Sequence, residues 1–234
     1  MQRDKFKFFA LAEAEKGQGA VVVIDVLRAF TTAAFAFERG AGRILPVATV
    51  NEAMMLRQEI PDALVMGEVE GFKPNAFDHG NSPGALRDAH LTGRTLIQRT
   101  SAGTQGLVRA VNADALFAAS FVVARATAQT LVAGKFDTVS FVITGISEGR
   151  DGDEDLACAE YIQALAQGDN PDPESYLARV ATSTVGRGFS SGSLGYLLQE
   201  DFRLSVQVNT FDFVMPVKRV NGRLVMTAEW ANKQ

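Results

Sequence analysis

Residues 20–40 of the chain read AVVVIDVLRAFTTAAFAFERG, and this stretch decides the fold class. The β-branched run at its start is typical of a strand buried on both faces of a parallel sheet. The run ends at Asp25, and from Phe30 to Phe37 the apolar residues recur at helical spacing. Gly40 follows where a helix C-cap is expected. The stretch therefore predicts one strand, a turn and one helix.

The same alternation of strand and helix continues along the chain. Further strands are predicted at 43–47, 63–66, 94–98 and 138–143, and further helices at 52–59, 106–111 and 155–166. This pattern predicts an α/β fold, with a mostly parallel or mixed sheet in a three-layer α/β/α arrangement. We assign residues 1–168 to this core, which carries the active-site loops.

The remaining residues, 169–234, have a different texture of short segments rich in glycine and serine. Near their end, two apolar runs at 213–220 and 223–228 flank Asn221-Gly222, which is a strong hairpin signal. We therefore expect an antiparallel C-terminal addition or a small second lobe. The composition of residues 190–195, SSGSLG, indicates a lid over the site.

The composition excludes several classes of function. The chain has 234 residues, a formal net charge of -4 and a pI near 5.3, so it lacks the basic face that non-specific nucleic-acid binding requires. No apolar stretch has the length of a membrane span, and the first twenty residues lack the apolar core of a signal peptide. A single cysteine, Cys158, cannot form an internal disulfide. We expect a cytoplasmic protein without membrane or nucleic-acid partners, and a homodimer because symmetric dimers are common.

Ligands of open α/β sheets bind at the carboxyl ends of the strands, so the loops that follow the strands carry the candidate chemistry. The loop at 25–32 places Asp25 at a strand tip and Arg28 with two hydroxyls at a helix start, a set suited to a metal, a phosphate or both. The alternative is that Asp25 caps the helix and Arg28 pairs with a nearby acid. Glu68, just past the tip of the strand predicted at 63–66, is a ligand or only a solvated or capping residue.

Two further loops have the composition of a ligand site. Residues 77–83, FDHGNSP, place a carboxylate, an imidazole, an amide and a hydroxyl among turn residues; the alternative is an ordinary Asx turn, and His79 is often merely exposed in such a loop. Residues 98–106, QRTSAGTQG, expose backbone N–H groups before a helix, which is suited to a phosphate or sulfonate. The alternative there is a glycine-rich turn for close packing.

The loop at 148–155, EGRDGDED, has five acids in eight residues and is by composition the best metal candidate. With two histidines and one cysteine in the chain, oxygen ligands favour Mg²⁺ over Zn²⁺. The alternative is that the acids are solvated and favoured by the following helix dipole. We exclude Cys158 as a nucleophile, since small buried helical cysteines are common and no Cys-x₅-Arg pattern is present.

Taken together, the motifs of these loops resemble the ComB-like 2-phosphosulfolactate phosphatase family. The resemblance rests on DVLRA…TT at 25–32, GE at 67–68, FDxGNSP at 77–83, RTSAGT at 99–104 and EDLACA at 154–159. It implies an α/β fold and Mg²⁺-dependent hydrolysis of 2-phospho-3-sulfolactate to 3-sulfolactate and phosphate, a step towards coenzyme M. Two departures are Ala102, where the family has an amide, and an acidic loop extended by Asp151 and Asp153.

With this resemblance, the loops predict residues for each role. The expected metal ligands are Asp25, Glu68, Glu154 and Asp155. The expected substrate-binding residues are Arg28, Thr31, Thr32, Asn81, Ser82, Arg99, Thr100, Ser101, Gly103 and Thr104. The expected catalytic residues are Asp25, Asp78 and Arg28, with Asp78 as general base, Asp25 as the alternative nucleophile, and direct attack by a water that the ion positions as the default route.

Three other functions were weighed against this one. A phosphatase acting on another small phosphorylated hydroxy acid would use the same site with a different pocket. A catalytically inactive sensor would bind the anion without releasing phosphate. A dinucleotide-dependent oxidoreductase is disfavoured, because residues 25–30 contain no glycine where G-x-G-x-x-G is needed.

Overall fold

A computed structural model describes residues 5–147, 149–191 and 198–230. The strands are β1 Phe6–Ala10, β2 Ala20–Ile24, β3 Arg43–Pro46, β4 Leu64–Gly67, β5 Thr95–Arg99, β6 Ala115–Ala119, β7 Val139–Ile143, β8 Phe213–Val220, β9 Arg223–Met226 and β10 Glu229–Trp230. The α-helices are α1 Ala29–Glu38, α2 Val50–Glu59, α3 Gly103–Arg109, α4 Ala124–Ala133, α5 Asp153–Gln167, α6 Glu174–Thr182, α7 Thr184–Ser191 and α8 Gln199–Ser205. Glu148 and residues 192–195 of the predicted lid lie outside the described residues.

The described strands form one mixed sheet in the order β1-β7-β2-β6-β8-β9-β3-β5-β4, with β10 beside β8. Strands β1, β7, β2 and β6 are parallel to one another, and so are β3, β5 and β4. Every residue of β2 and β7 is buried, so both faces of the sheet are covered. The predicted α/β class, with a mixed sheet and antiparallel C-terminal strands, is confirmed.

The C-terminal hairpin lies inside this sheet. Strand β8 is antiparallel to β6, and β9 is antiparallel to β3, so the hairpin joins the two parallel groups. Asn221 and Gly222 have φ values of 51° and 79°, as a two-residue type I′ turn requires. Phe213 belongs to the same buried core as Phe141. The division drawn at residue 168 therefore runs through one sheet and one core.

Strands β2 and β5 meet at their carboxyl ends although the two parallel groups run in opposite directions along the sheet. Three antiparallel pairings separate the groups, and five strand-to-strand steps at roughly 20–25° each add about 100° of twist. The contact is direct, since Gln98 Nε2 of β5 donates to the carbonyl of Ala29, 3.0 Å away. The loops after both strands therefore lie next to each other.

Several described elements were not predicted from the sequence: β1, β6, α4 and the three short helices α6 to α8. Strand β6 has the sequence ALFAA, which is a weak strand pattern, yet it pairs with β2 along its whole length. Its neighbours, and not its intrinsic preference, determine its conformation. Within the described part of the chain, none of the helices has both the length and the apolarity to cross a bilayer.

Candidate active site

A cleft of about 390 Å³ lies where the loops after β2, β4, β5 and β7 meet α7, and its volume is in the range of small-molecule sites. Five of the predicted residues line it, namely Asp25, Arg28, Glu68, Asn81 and Ser101. The other lining residues are Leu27, Glu70, Gly71, Ala102, Arg150, Thr184 and Val185. Acidic and basic groups from distant parts of the chain therefore share one cleft.

Asp25 follows the last residue of β2 and is 7% exposed. Its Oδ1 accepts a hydrogen bond from Ala29 N at 2.8 Å, while its Oδ2 accepts none from the described residues. Burial raises the pKa of Asp25 to about 6; Glu68 and Glu154 act in the same direction, and the Ala29 amide and Arg150 oppose them. One oxygen therefore caps α1, and the other faces no donor from the described residues.

Asp155 lies behind the cleft and joins the loops after β2 and β7. Its Oδ1 accepts from Val26 N at 2.8 Å, and its Oδ2 accepts from Gly145 N at 2.7 Å and from the Thr144 hydroxyl at 3.1 Å. Burial raises its pKa well above the usual value, as do the carboxylates of Glu154 and Asp25. Three donors already occupy this carboxylate, so Asp155 supports the two loops.

Glu68 makes the corresponding connection between the loops after β4 and β5. Its Oε1 accepts from Ser101 N at 2.5 Å, and its Oε2 accepts from Gly71 N at 2.7 Å and from the Ser101 hydroxyl at 3.0 Å. Glu68 is 7% exposed and lines the cleft, in contrast to Asp155. It fixes the position of Ser101 while remaining within reach of a ligand.

Arg28 is held by a buried acid from the C-terminal part of the chain. Its Nη1 lies 2.6 Å from Asp201 Oδ2, and neither side chain is more than 6% exposed. The second oxygen of Asp201 accepts from the Ser82 hydroxyl at 2.7 Å and from Gly84 N at 3.1 Å. The alternative that Arg28 pairs with an acid is thus confirmed, and Arg28 still lines the cleft.

The acidic loop is divided among three tasks. Asp151 accepts hydrogen bonds from the amide and hydroxyl of Thr184; although partial burial opposes this, these bonds lower its pKa. Asp153 pairs with Arg179 of α6. Glu154 is 1% exposed, burial raises its pKa, and its Oε1 lies 3.8 Å from Arg150 Nη2. The two extra acids therefore hold α6 and α7, as capping and pairing residues.

The four predicted metal ligands do not converge. Within residues 5–147, 149–191 and 198–230, no group of three or more histidine, cysteine, aspartate and glutamate side chains has the arrangement of a metal site. The donors described above already bind both oxygens of Asp155 and both oxygens of Glu68. Three oxygens nevertheless have no donor in the part of the chain that the structure describes: Asp25 Oδ2, and the buried Glu154 Oε2 and Asn81 Oδ1.

These oxygens fit a Mg²⁺ site in which the protein supplies only a few of the ligands. Buried acceptors without donors are rare in folded proteins unless a ligand or ion satisfies them. Mg²⁺ usually takes one or two protein carboxylates and completes its shell with water and substrate phosphate. Asp25 and Asn81 line the cleft, and Glu154 lies behind it. We therefore take Asp25 as the first candidate ligand.

The predicted general base, Asp78, does not line the cleft. Its Oδ1 pairs with Arg57 at 3.0 Å and its Oδ2 accepts from Val65 N at 2.8 Å. Val65 belongs to β4, which is the end strand of the described sheet, so Asp78 satisfies a donor on an open edge. His79 is half-buried, burial lowers its pKa, and it also lies outside the lining.

Several predicted substrate-binding residues also lie behind the surface of the cleft. They are Thr31, Thr32, Ser82, Arg99, Thr100, Gly103 and Thr104. Thr100 and Thr104 each donate their backbone N–H to the hydroxyl of the other, at 2.9 and 3.0 Å, and so fix the start of α3. The Arg99 guanidinium donates to the carbonyl of Glu68 at 2.7 Å. Thr31 donates its hydroxyl to the Val26 carbonyl at 2.9 Å.

Gly103 has a steric role next to Asp25. A Cβ at this position would lie 2.7 Å from Asp25 Oδ2 and 2.7 Å from the Ala29 side chain. The absence of a side chain therefore lets α3 approach the end of β2. The alternative reading of this loop, a glycine-rich turn for close packing, agrees with this contact.

Three residues were missed by the sequence analysis. Arg150 is the lone cation among the acids of its loop, and this contrast is the sequence signal that marks it. Asp201 and Thr184 belong to segments without a recognisable motif, and Asp201 meets Arg28 from 173 residues away. Cys158, by contrast, is fully buried and burial raises its pKa, in agreement with its exclusion as a nucleophile.

Comparison with known proteins gives a consistent result. A family model described as 2-phosphosulpholactate phosphatase matches residues 9–219. A protein of Bacillus subtilis named "Probable 2-phosphosulfolactate phosphatase" is 37% identical over 199 residues, which cover 85% of this chain and 86% of that protein. A protein of the same name from Carboxydothermus hydrogenoformans is 42% identical over a stretch that covers 62% of this chain and 60% of that protein. Another from Thermoplasma acidophilum is 26% identical over 89% of this chain and 89% of that protein.

Proposed function

Because this chain belongs to the 2-phosphosulpholactate phosphatase family, we propose that it is a phosphoric monoester hydrolase that converts 2-phospho-3-sulfolactate and water into 3-sulfolactate and phosphate, with Mg²⁺ as cofactor. One observation carries the proposal: Asp25 and the guanidinium groups of Arg28 and Arg150 line the same small cleft. One oxygen of Asp25 has no donor among the described residues. The names of the relatives supply the substrate.

The residues of the cleft have separate tasks in this reaction. Arg28, held by Asp201, is oriented for the oxygens of the phosphoryl group. Asp25 is ionised at neutral pH, because its pKa is about 6, and provides an anionic oxygen at the tip of β2. When bound, Mg²⁺ would offset the charge of the phosphoryl oxygens and help to place the attacking water.

The chemical step transfers the phosphoryl group to water. The water oxygen forms a bond to phosphorus and gives up one proton, the bond between phosphorus and the ester oxygen breaks, and the ester oxygen takes up one proton to become the hydroxyl of 3-sulfolactate. We propose direct attack by water, with Asp25 as a binding group and not as a nucleophile. The support is that Leu27 occupies the position two residues on, where an aspartyl-phosphate enzyme of the haloacid-dehalogenase class has a second aspartate.

The decisive experiment measures phosphate release from 2-phospho-3-sulfolactate, phospholactate and phosphoglycerate, with Mg²⁺ and with EDTA. We expect phosphate release to require Mg²⁺ and to be fastest from the ester that carries the sulfonate. Asp25→Asn should lower the rate at least 100-fold, whereas Asp137→Asn, which changes an exposed acid far from the cleft lining, should not. A near-normal rate for Asp25→Asn would remove this residue from the mechanism.

Other outcomes of this experiment distinguish the remaining functions. Metal-dependent release that favours another ester would retain the reaction and replace the substrate. Binding of the esters with Mg²⁺ but no release would indicate a sensor. A homodimer, a cytoplasmic location and use of the product for coenzyme M are further proposals; light scattering of the purified protein tests the first.

A further inference from the structure

The charges that line the cleft are unfavourable for an anionic substrate. Asp25, Glu68 and Glu70 provide three carboxylates, and Arg28 and Arg150 provide two guanidinium groups. The charge of Arg28 is already offset, because the buried carboxylate of Asp201 lies 2.6 Å from it. Among the described lining residues, Arg150 is therefore the cation left, beside the proposed Mg²⁺, to meet a substrate with a phosphate and a further anionic group.

The sequence suggested Arg99 for this task, but the structure places its side chain elsewhere. Its guanidinium donates to the carbonyls of Glu68 and Ala48, and it does not line the cleft. Arg99 joins the loops around the site and has no surface on it. Arg150, in the loop after β7, does line the cleft.

Arg150 has the properties of a residue that lacks its ligand. Among the described residues it forms an ion pair with Glu154, and the 3.8 Å between Nη2 and Oε1 is too long for a hydrogen bond. Its Nε is shielded from solvent and has no acceptor among the described residues. A shielded N–H without an acceptor is unfavourable, and the oxygen of a bound anion would satisfy it.

We propose that Arg150 is a substrate-binding residue whose guanidinium holds a tetrahedral oxyanion of the substrate, either the phosphate or the sulfonate. This inference rests on the proposed function and assigns a further residue to the same site. The planar guanidinium matches two oxygens of such a group at once. Glu154 holds the guanidinium near the cleft between turnovers by an ion pair long enough to yield to a ligand.

The test compares Arg150→Gln and Arg150→Lys with wild type, and uses Arg109→Gln, an exposed arginine on α3, as the matched control. We expect Arg150→Gln to raise KM for 2-phospho-3-sulfolactate roughly 10- to 100-fold, as the loss of a charged hydrogen bond implies. Lysine should restore part of the loss. Calorimetry with inorganic phosphate and with 3-sulfolactate measures binding without turnover.

The two oxyanions give different results. If Arg150 holds the phosphate, Arg150→Gln weakens binding of inorganic phosphate and raises KM for phospholactate as well. If it holds the sulfonate, binding of 3-sulfolactate weakens and KM rises for the sulfonate ester alone. Unchanged KM for both esters together with unchanged binding of both probes would overturn the proposal.

The same measurements also distinguish a structural role of Arg150 and a failure of the proposed function. A lowered Tm with lower kcat and unchanged KM would assign Arg150 a structural role and overturn the proposal. If wild type releases phosphate from none of the esters, the proposed function fails. The binding of inorganic phosphate and 3-sulfolactate still tests Arg150 in that case: weaker binding of either by Arg150→Gln supports the proposal, and equal binding of both overturns it.

Discussion

At the scale of the single residue, Asp25 combines a structural bond with a functional position. Its Oδ1 accepts a hydrogen bond from the Ala29 amide, which fixes the side chain, and its Oδ2 has no donor within the described ranges. Burial raises its pKa from 3.8 to about 6, so ionising this carboxyl in the folded protein costs free energy. The cleft therefore contains an acid whose charge is present at neutral pH only at the expense of stability.

This cost gives a prediction for Asp25→Asn in EDTA. Between about pH 4 and pH 6 the folded protein retains a proton on Asp25 that the unfolded chain has lost, so the stability of wild type falls as the pH rises through this window. Asparagine has no charge to bury. The unfolding free energy of the variant, relative to that of wild type, should therefore rise by up to about 3 kcal/mol between pH 4 and pH 7. This is the free energy that corresponds to a pKa shift of about two units.

Urea unfolding at pH 4 and at pH 7 measures this gain. Asp137→Asn, which changes an exposed acid, should show the same difference from wild type at both pH values. If the difference between Asp25→Asn and wild type is also the same at both, the pKa of Asp25 is not raised.

The sequence predicted some cleft residues and missed others for a geometric reason. Asp25, Glu68 and Ser101 lie just beyond strand tips, and that position alone carries them to the cleft. Thr31 lies one turn further along a helix, where side-chain direction depends on helix orientation, and its hydroxyl turned to a backbone carbonyl. Asp201 reaches the site through a contact across 173 residues, which no local pattern encodes.

At the scale of the element, helix α3 approaches β2 closely because Gly103 has no side chain. Gly103→Ala would place a methyl group 2.7 Å from Asp25 Oδ2. Although alanine favours helix, overpacking should dominate, lower stability by about 1–3 kcal/mol and displace Asp25, so phosphate release should fall.

The control is Gly80→Ala, in which the nearest neighbour of the new methyl group is Lys73 Cβ at 3.7 Å, so this variant should keep both its stability and its phosphate release. Urea unfolding and phosphate release measure them; near-normal values for Gly103→Ala would contradict the steric role.

Helix α8 is attached to the loops after β2 and β4 by Asp201. Asp201→Ala removes the carboxylate partner of the buried Arg28 and should cost about 3–5 kcal/mol of unfolding free energy. The double variant Arg28→Met with Asp201→Leu should recover most of this stability, because apolar replacement of a buried ion pair is often nearly neutral. It should not recover phosphate release. Recovery of both would show that Arg28 is not needed for the reaction.

The strands with a clear apolar pattern were predicted, and the alanine-rich β6 was not. Strand β2 consists of residues with high strand preference and would be recognised in any context. The ALFAA sequence of β6 becomes a strand because β2 and β8 pair with it on its two sides. Helices α6 to α8 have at most nine residues each, too few to give a reliable period.

At the scale of the whole molecule, the C-terminal hairpin joins the two parallel groups of the sheet, and we expect them to unfold as one cooperative unit. The single tryptophan, Trp230, lies in β10 and packs against Phe213 at 4.8 Å between ring centroids, so its fluorescence reports on the C-terminal part. Far-UV circular dichroism reports on the whole chain. We expect both signals to change at the same urea concentration. Two separate transitions would instead support a division near residue 168.

The position of β8 and β9 also has a consequence for synthesis. A ribosome that makes the chain from its amino terminus delivers β6 and β3 long before the hairpin that belongs between them. During that interval both strands present an unpaired edge, the kind of surface on which nascent chains associate with one another. Assembly of the sheet must therefore follow completion of its last strands, and a premature stop within the final hairpin would release a chain with two open edges and no closed core.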